Sequence, residues 1–191
     1  MDLTPLISTF VILALAELGD KTQLAAITLS ANYRARSVFA GAMLAMALVD
    51  GVTILAGTAL ADIFSGQIIG IVGAAIFFVF GVRTLVSKDD DEVDVKRGKS
   101  ALVTSFTMVA VMELGDKTQF SIIALAAEYN APISIFIGMI LAYALLMGIG
   151  VIVGCKLLKF IPKKYLKVLT AALFMVFGAV FLLGALGVTL L

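Results

Sequence analysis

The sequence predicts an all-α membrane protein with six transmembrane helices, arranged as two inverted three-helix repeats. Three observations lead there. Apolar residues make up 62% of the 191 residues and charged residues only 14%, against about half and about a quarter in a soluble domain. The apolar residues gather in six runs, each close to the roughly 20 residues that carry a helix across the bilayer core. The stretch from Glu17 to Gln23, ELGDKTQ, returns 96 residues later from Glu113 to Gln119.

The runs cover residues 5–31, 38–64, 67–87, 101–127, 132–156 and 166–190. None alternates apolar with polar residues, so a membrane β-barrel does not fit. The first run has no basic flank before it and is interrupted by Glu17, Asp20 and Lys21. It reads as a retained helix and not as a cleaved signal. The longest polar segment, 87–100, is too short to fold alone. The expected organisation is a first repeat over 1–87, a charged cytoplasmic linker over 88–100, and a second repeat over 101–191. The acidic run from Asp89 to Asp94 lacks the spacing, glycine and terminal glutamate of a calcium-binding helix–loop–helix, and reads as part of that solvated linker.

Basic residues sort by side. Arg34 and Arg36 fall in the first loop. Arg83, Lys88, Lys96, Arg97 and Lys99 fall in or beside the third, and Lys156, Lys159, Lys163, Lys164 and Lys167 in or beside the fifth. The second and fourth loops and both termini have none. The positive-inside rule then places loops one, three and five in the cytoplasm and both termini outside it. The expected location is the plasma (inner) membrane, with multiple passes.

The halves match beyond the motif. AAIFFVFG at 74–81 resembles AALFMVFG at 171–178, and Phe39, Gly41, Ala45 and Gly51 return 97 residues later as Phe136, Gly138, Ala142 and Gly148. This is an internal duplication. Three helices per unit is an odd number, so the second copy enters the membrane from the opposite side. Inverted repeats of this kind are common in secondary transporters, with the substrate site near the midplane. Glu17 and Glu113 fall about halfway along runs one and four. Duplication alone explains two similar copies, and polar residues also serve as contacts between helices. Three ionisable groups per helix exceed that need, because each charge at a helix centre costs about 2.5–3.5 kcal/mol.

On a helix, Glu17 shares a face with Asp20 and Lys21, and Asp20 with Gln23; the second motif repeats the pattern. Gly19 and Gly115 either let a backbone or an ion approach, let the helix loosen and expose carbonyls, or simply pack helices. Thr22 and Thr118 offer hydroxyl oxygens or bond to their own preceding turn. Each motif carries two carboxylates and one ammonium, so two together carry net −2, the complement of one divalent cation. The candidate ligands are all oxygens: Glu17, Asp20, Gln23, Glu113, Asp116 and Gln119. Such a set suits Ca²⁺ or Mn²⁺, and Mg²⁺ less because it dehydrates reluctantly. The chain has no histidine and a single cysteine, Cys155, so the usual ligands of zinc and copper are missing.

Lys21 and Lys117 either hold the empty carboxylates ionised or form fixed structural pairs. Close acids in a low-dielectric site take up protons that a divalent cation displaces. Exchange of cation for protons by alternating access follows. Asp50 is a further mid-membrane acid without a twin, since its repeat position is Met147. It is a proton carrier, a ligand, or a hydrogen-bond partner of a neighbouring lysine or backbone group.

Glu17–Thr22 and Glu113–Thr118 resemble the E-x-G-D-[KR]-[ST] membrane family of Golgi-type Ca²⁺/Mn²⁺–proton antiporters. That family includes bacterial manganese exporters and is related to the calcium/cation antiporter superfamily. The resemblance covers the whole chain. It implies export of Mn²⁺, with Ca²⁺ as the alternative, in exchange for protons, and ion binding by the acids at 17, 20, 113 and 116. It also tilts the choice from Ca²⁺ to Mn²⁺. The expected partners are the divalent cation, protons and the lipid bilayer; nucleic acid is not expected, no resident cofactor is implied, and a homo-oligomer stays open. The rival classes are an intramembrane aspartyl protease-like enzyme and a passive divalent-cation channel. Against the first, Glu17 and Glu113 stand where the protease pattern needs glycine. Against the second, a channel has no use for a second, inverted copy. A non-enzyme is expected.

Overall fold

The computed structural model describes residues 2–86, 100–153 and 163–188, and within these every regular element is a helix. The expected linker (apart from Ser100), the acidic run, Cys155 and the basic residues Lys88, Lys96, Arg97, Lys99, Lys156 and Lys159 lie outside the described residues. In chain order the helices are α1 (Thr4–Glu17), α2 (Lys21–Ser30), α3 (Ala35–Ile63), α4 (Gly66–Val86), α5 (Ala101–Glu113), α6 (Lys117–Tyr129), α7 (Pro132–Val153) and α8 (Lys163–Ala185).

Four of them are long and apolar enough to cross a membrane alone, within α3, α4, α7 and α8. The 29 residues of α3 reach about 43 Å at 1.5 Å per residue, more than the roughly 30 Å hydrocarbon core. Large apolar side chains stay exposed on their outer faces, including Val52, Leu55, Val79 and Val176. That is the surface a multi-pass membrane protein presents to lipid.

Runs one and four correct the expectation of single unbroken helices. Each is two short helices in tandem, α1 then α2 and α5 then α6, interrupted at the repeated motif. The 14 residues of α1 span about 21 Å, too little to cross alone. Irregular backbone at membrane depth is tolerated only where protein or a water-lined cavity surrounds it; the first break is partly covered, whereas Leu114 and Gly115 of the second are exposed. Helix α7 packs on α1 and α2, and α3 packs on α5, α6 and α7.

Two close crossings repeat between the halves. A side chain at Gly41 on α3 would strike the Leu102 carbonyl and the Ser105 hydroxyl of α5. One at its repeat mate Gly138 on α7 would strike the Leu6 carbonyl of α1 and approach Thr9. Small residues let helix backbones meet this closely in membranes. A third contact joins α4 to α8, where Phe77 stacks with Phe174, Phe177 and Phe181. The halves are not packed alike throughout. Among the described residues α4 lies on α6, whereas α8 lies on α1.

Candidate metal centre

The two interruptions have almost the same backbone. Leu18 has φ −63°, ψ 112° and Leu114 φ −65°, ψ 115°. Gly19 and Gly115 follow at φ 76° and 77°. Asp20 (−74°, 166°) and Asp116 (−78°, 165°) then open α2 and α6. The Asp20 amide donates to the Glu17 carbonyl at 3.0 Å, and that of Asp116 to Glu113 at 3.3 Å. An extended residue, then one at positive φ, inside a hydrogen-bonded four-residue turn is the type II pattern, which takes glycine at its third position. The glycines therefore loosen the helix, one of the roles open at the level of sequence. The same-face pairing of Glu17 with Lys21 within one helix does not form.

Side chains brace each turn. The amide of Gly19 donates to Gln23 Oε1 at 2.7 Å, and Gln23 Nε2 donates to the Leu146 carbonyl on α7 at 2.9 Å. The amide of Gly115 donates to Gln119 Oε1 at 2.8 Å, and Gln119 Nε2 donates to Thr53 Oγ1 on α3 at 3.0 Å. Each glutamine oxygen, expected as a ligand, thus holds its own turn closed, while its Nε2 ties the turn to the opposite half.

The carboxylates are left available. An aspartate at a helix start ordinarily caps the first amides, yet neither Asp20 nor Asp116 makes that bond. Ligand oxygens of Glu17, Asp20 and Asp116 all lie within 4.8 Å of one another. Two oxygens on opposite sides of a Ca²⁺ at 2.3–2.6 Å would be about 5 Å apart, so the three acids span one coordination shell. They come from both motifs. Two further bonds cross between the halves. Lys117 Nζ pairs with Asp20 Oδ1 at 2.6 Å, with both side chains partly exposed, and the Thr118 hydroxyl donates to Glu17 Oε1.

Glu113 is not in that group of three. It is 1% exposed, with Glu17, Asp50 and Asp116 as the acids around it and the Thr22 hydroxyl as its polar neighbour. Thr22 is buried beside it. Lys21 is exposed, and among the described residues it is in no ion pair. Asp50 on α3 is fully buried and accepts a hydrogen bond from the Tyr143 hydroxyl of α7 at 2.8 Å. Its partner is neither the lysine nor the backbone group that the sequence suggested.

Thr53, Tyr143 and the Leu146 carbonyl did not emerge from the sequence. Thr53 carried a faint signal, three residues after Asp50 and so on its face. Tyr143 offered only a hydroxyl on an otherwise apolar helix.

The family model described as "Divalent cation/proton antiporter GDT1" matches residues 5–92 and 101–188. Protein PAM71 of Arabidopsis thaliana, chloroplastic, is 27% identical over 204 residues, covering 91% of this chain and 55% of its own length. GDT1-like protein sll0615 of Synechocystis sp. is 28% identical over 93% of this chain and 96% of its own. A Vibrio cholerae protein named "Putative manganese exporter" is 30% identical over 85% of this chain and 82% of its own. The chain spans 55% to 60% of the length of the chloroplastic relatives it matches. No solved structure matches it. With two matched halves, two identical motif turns and helices fit to cross a membrane, the chain belongs to the GDT1 family of divalent cation/proton antiporters, a family of transporters and not of enzymes.

Proposed function

We propose that this chain exports a divalent cation, Mn²⁺ ahead of Ca²⁺, in exchange for protons, through a site its two motifs build together. The reading includes six membrane crossings in two inverted three-helix halves, both termini outside, in the plasma membrane. The observation that carries it is the convergence of Glu17, Asp20 and Asp116 from the two motifs. Three carboxylates with Lys117 sum to −2, which one divalent cation neutralises. Glu17, Asp20 and Asp116 are the ligands in this state, and Glu113 joins as the halves rearrange. Gln23 and Gln119 hold the turns.

Lys117 occupies Asp20 in competition with the cation. An arriving cation displaces the ammonium, and a departing one lets it return, so no arrangement leaves Asp20 buried and unpaired. The oxygen-only donor set accepts either ion, and the name of the Vibrio cholerae relative favours manganese. The passive channel has no observation in its favour.

The test is flux into proteoliposomes carrying an internal pH dye, with Mn²⁺, Ca²⁺ and Mg²⁺ compared. Mn²⁺ entry is expected to drive proton exit, and Glu17→Gln or Asp116→Asn to abolish both. Undiminished flux in the two variants would remove the assigned site, and cation movement without protons would remove the coupling.

A further inference from the structure

We infer that Asp50, held by Tyr143, is a proton-carrying group of this transporter, separate from the residues that hold the cation. The inference rests on the antiport reading above and adds where a proton rides. Asp50 lies on α3 and Tyr143 on α7, and both are fully buried. The Tyr143 hydroxyl donates to Oδ2, while Oδ1 has no partner. Tyr143 faces Asp50 from α7, Glu113 from the end of α5, and Asp116 from the turn before α6. From α2 nothing charged faces it, because Lys21 is exposed. One neutral donor and no cationic partner is a poor setting for an ionised carboxylate and a good one for a carboxylic acid.

Asp50 makes no hydrogen bond to any motif acid, so it stands beside the cation group without belonging to it. The charge of Asp116, one of that group, reaches it, and Glu113 lies beside it. A divalent cation held there favours the ionised form of Asp50, and a proton on Asp50 weakens the hold on the cation by the same factor. The step is an O–H bond formed as the carboxylate takes one proton from water and broken as the cation arrives, with the proton returned to water.

Packing alone does not account for the pair. At the 97-residue offset, Tyr143 corresponds to Met46 and Asp50 to Met147, and both methionines are buried. The molecule thus fills one pair of these positions with methionine and the other with a hydroxyl and an acid. The hydrogen bond from Tyr143 uses Oδ2 alone; the orphan Oδ1 is the atom a proton would use.

The experiment uses the full chain in proteoliposomes with Mn²⁺ and an internal pH dye, with Mn²⁺ binding measured in parallel, for wild type, Asp50→Asn and Tyr143→Phe. Asp50→Asn mimics the protonated acid, so it is expected to bind Mn²⁺ with the affinity the wild type has when Asp50 is protonated, at every pH, while protons moved per Mn²⁺ fall and the pH profile flattens. Tyr143→Phe removes a donor to a carboxylate, so its profile moves to higher pH by about half a unit or more. Equal coupling and an equal profile in Asp50→Asn would overturn the inference alone. A folded Asp50→Asn that binds no Mn²⁺ would overturn it by making Asp50 a ligand. If Asp50→Asn does not fold, Tyr143→Phe decides, and an unshifted profile overturns the idea. Uncoupled flux in the wild type would defeat the antiport reading and the role of Asp50 with it.

Discussion

The two motifs share seven residues in a row and nearly every backbone angle, but not their surroundings. Leu18 is partly covered, whereas Leu114 is 64% exposed. Glu17 accepts a close hydrogen bond from the Thr118 hydroxyl, whereas the Thr22 hydroxyl lies beside Glu113 without so close a bond. Lys117 reaches across to Asp20, whereas Lys21 is exposed and in no ion pair among the described residues. The turn's shape is therefore set by its glycine and glutamine, which contacts from the other half hold in place, and the environment is set by how the halves are docked. Identical sequences in unequal settings are what an alternating-access carrier needs. In the reading proposed here, Glu113 joins the cation as the halves rearrange.

The largest expected effect tests whether the chemical equality of the motifs outweighs their structural inequality. Glu17→Gln and Glu113→Gln should each lower Mn²⁺ transport by about a hundredfold or more, although only Glu17 lies in the present cluster. Normal transport in Glu113→Gln would mean that one motif suffices. A smaller effect separates the lysines. Lys117→Met leaves Asp20 without its charged partner and should destabilise the cation-free protein by about 1–3 kcal/mol. Lys21→Met, at an exposed position, should change stability by about 0.5 kcal/mol or less. Thermal unfolding of the two in one lipid or detergent reads the difference, and equal shifts would erase the asymmetry. The smallest effect sharpens what the motifs share. Gly115→Ala meets no neighbour, so its loss should be the positive-φ strain alone, about 1–2 kcal/mol, by the same measurement.

How much of this was legible depended on whether the cause was local. The six runs, the paired motifs and the acids at 17, 20 and 116 follow from composition and repetition, and the described helices fall on those runs. The break at Leu18–Asp20 did not follow. A single glycine in an apolar run is tolerated within a helix at about 1 kcal/mol. What completes the turn comes from far along the chain, the Leu146 carbonyl for Gln23 and Thr53 for Gln119. For the same reason the turn role of Gln23 and Gln119 did not follow from the sequence: the amides that occupy their oxygens are free only once the helix is broken. Asp50 stood out as an unmatched acid, but its hydroxyl donor lies 93 positions away and no periodicity connects the two.

The most direct measurement is the number of Mn²⁺ ions bound per chain at equilibrium, by electron paramagnetic resonance of the purified protein, for wild type, Asp20→Asn and Asp116→Asn. The shared site predicts one ion in the wild type and none at the same concentration in either variant. Two ions in the wild type, each surviving loss of the other motif's aspartate, would contradict it.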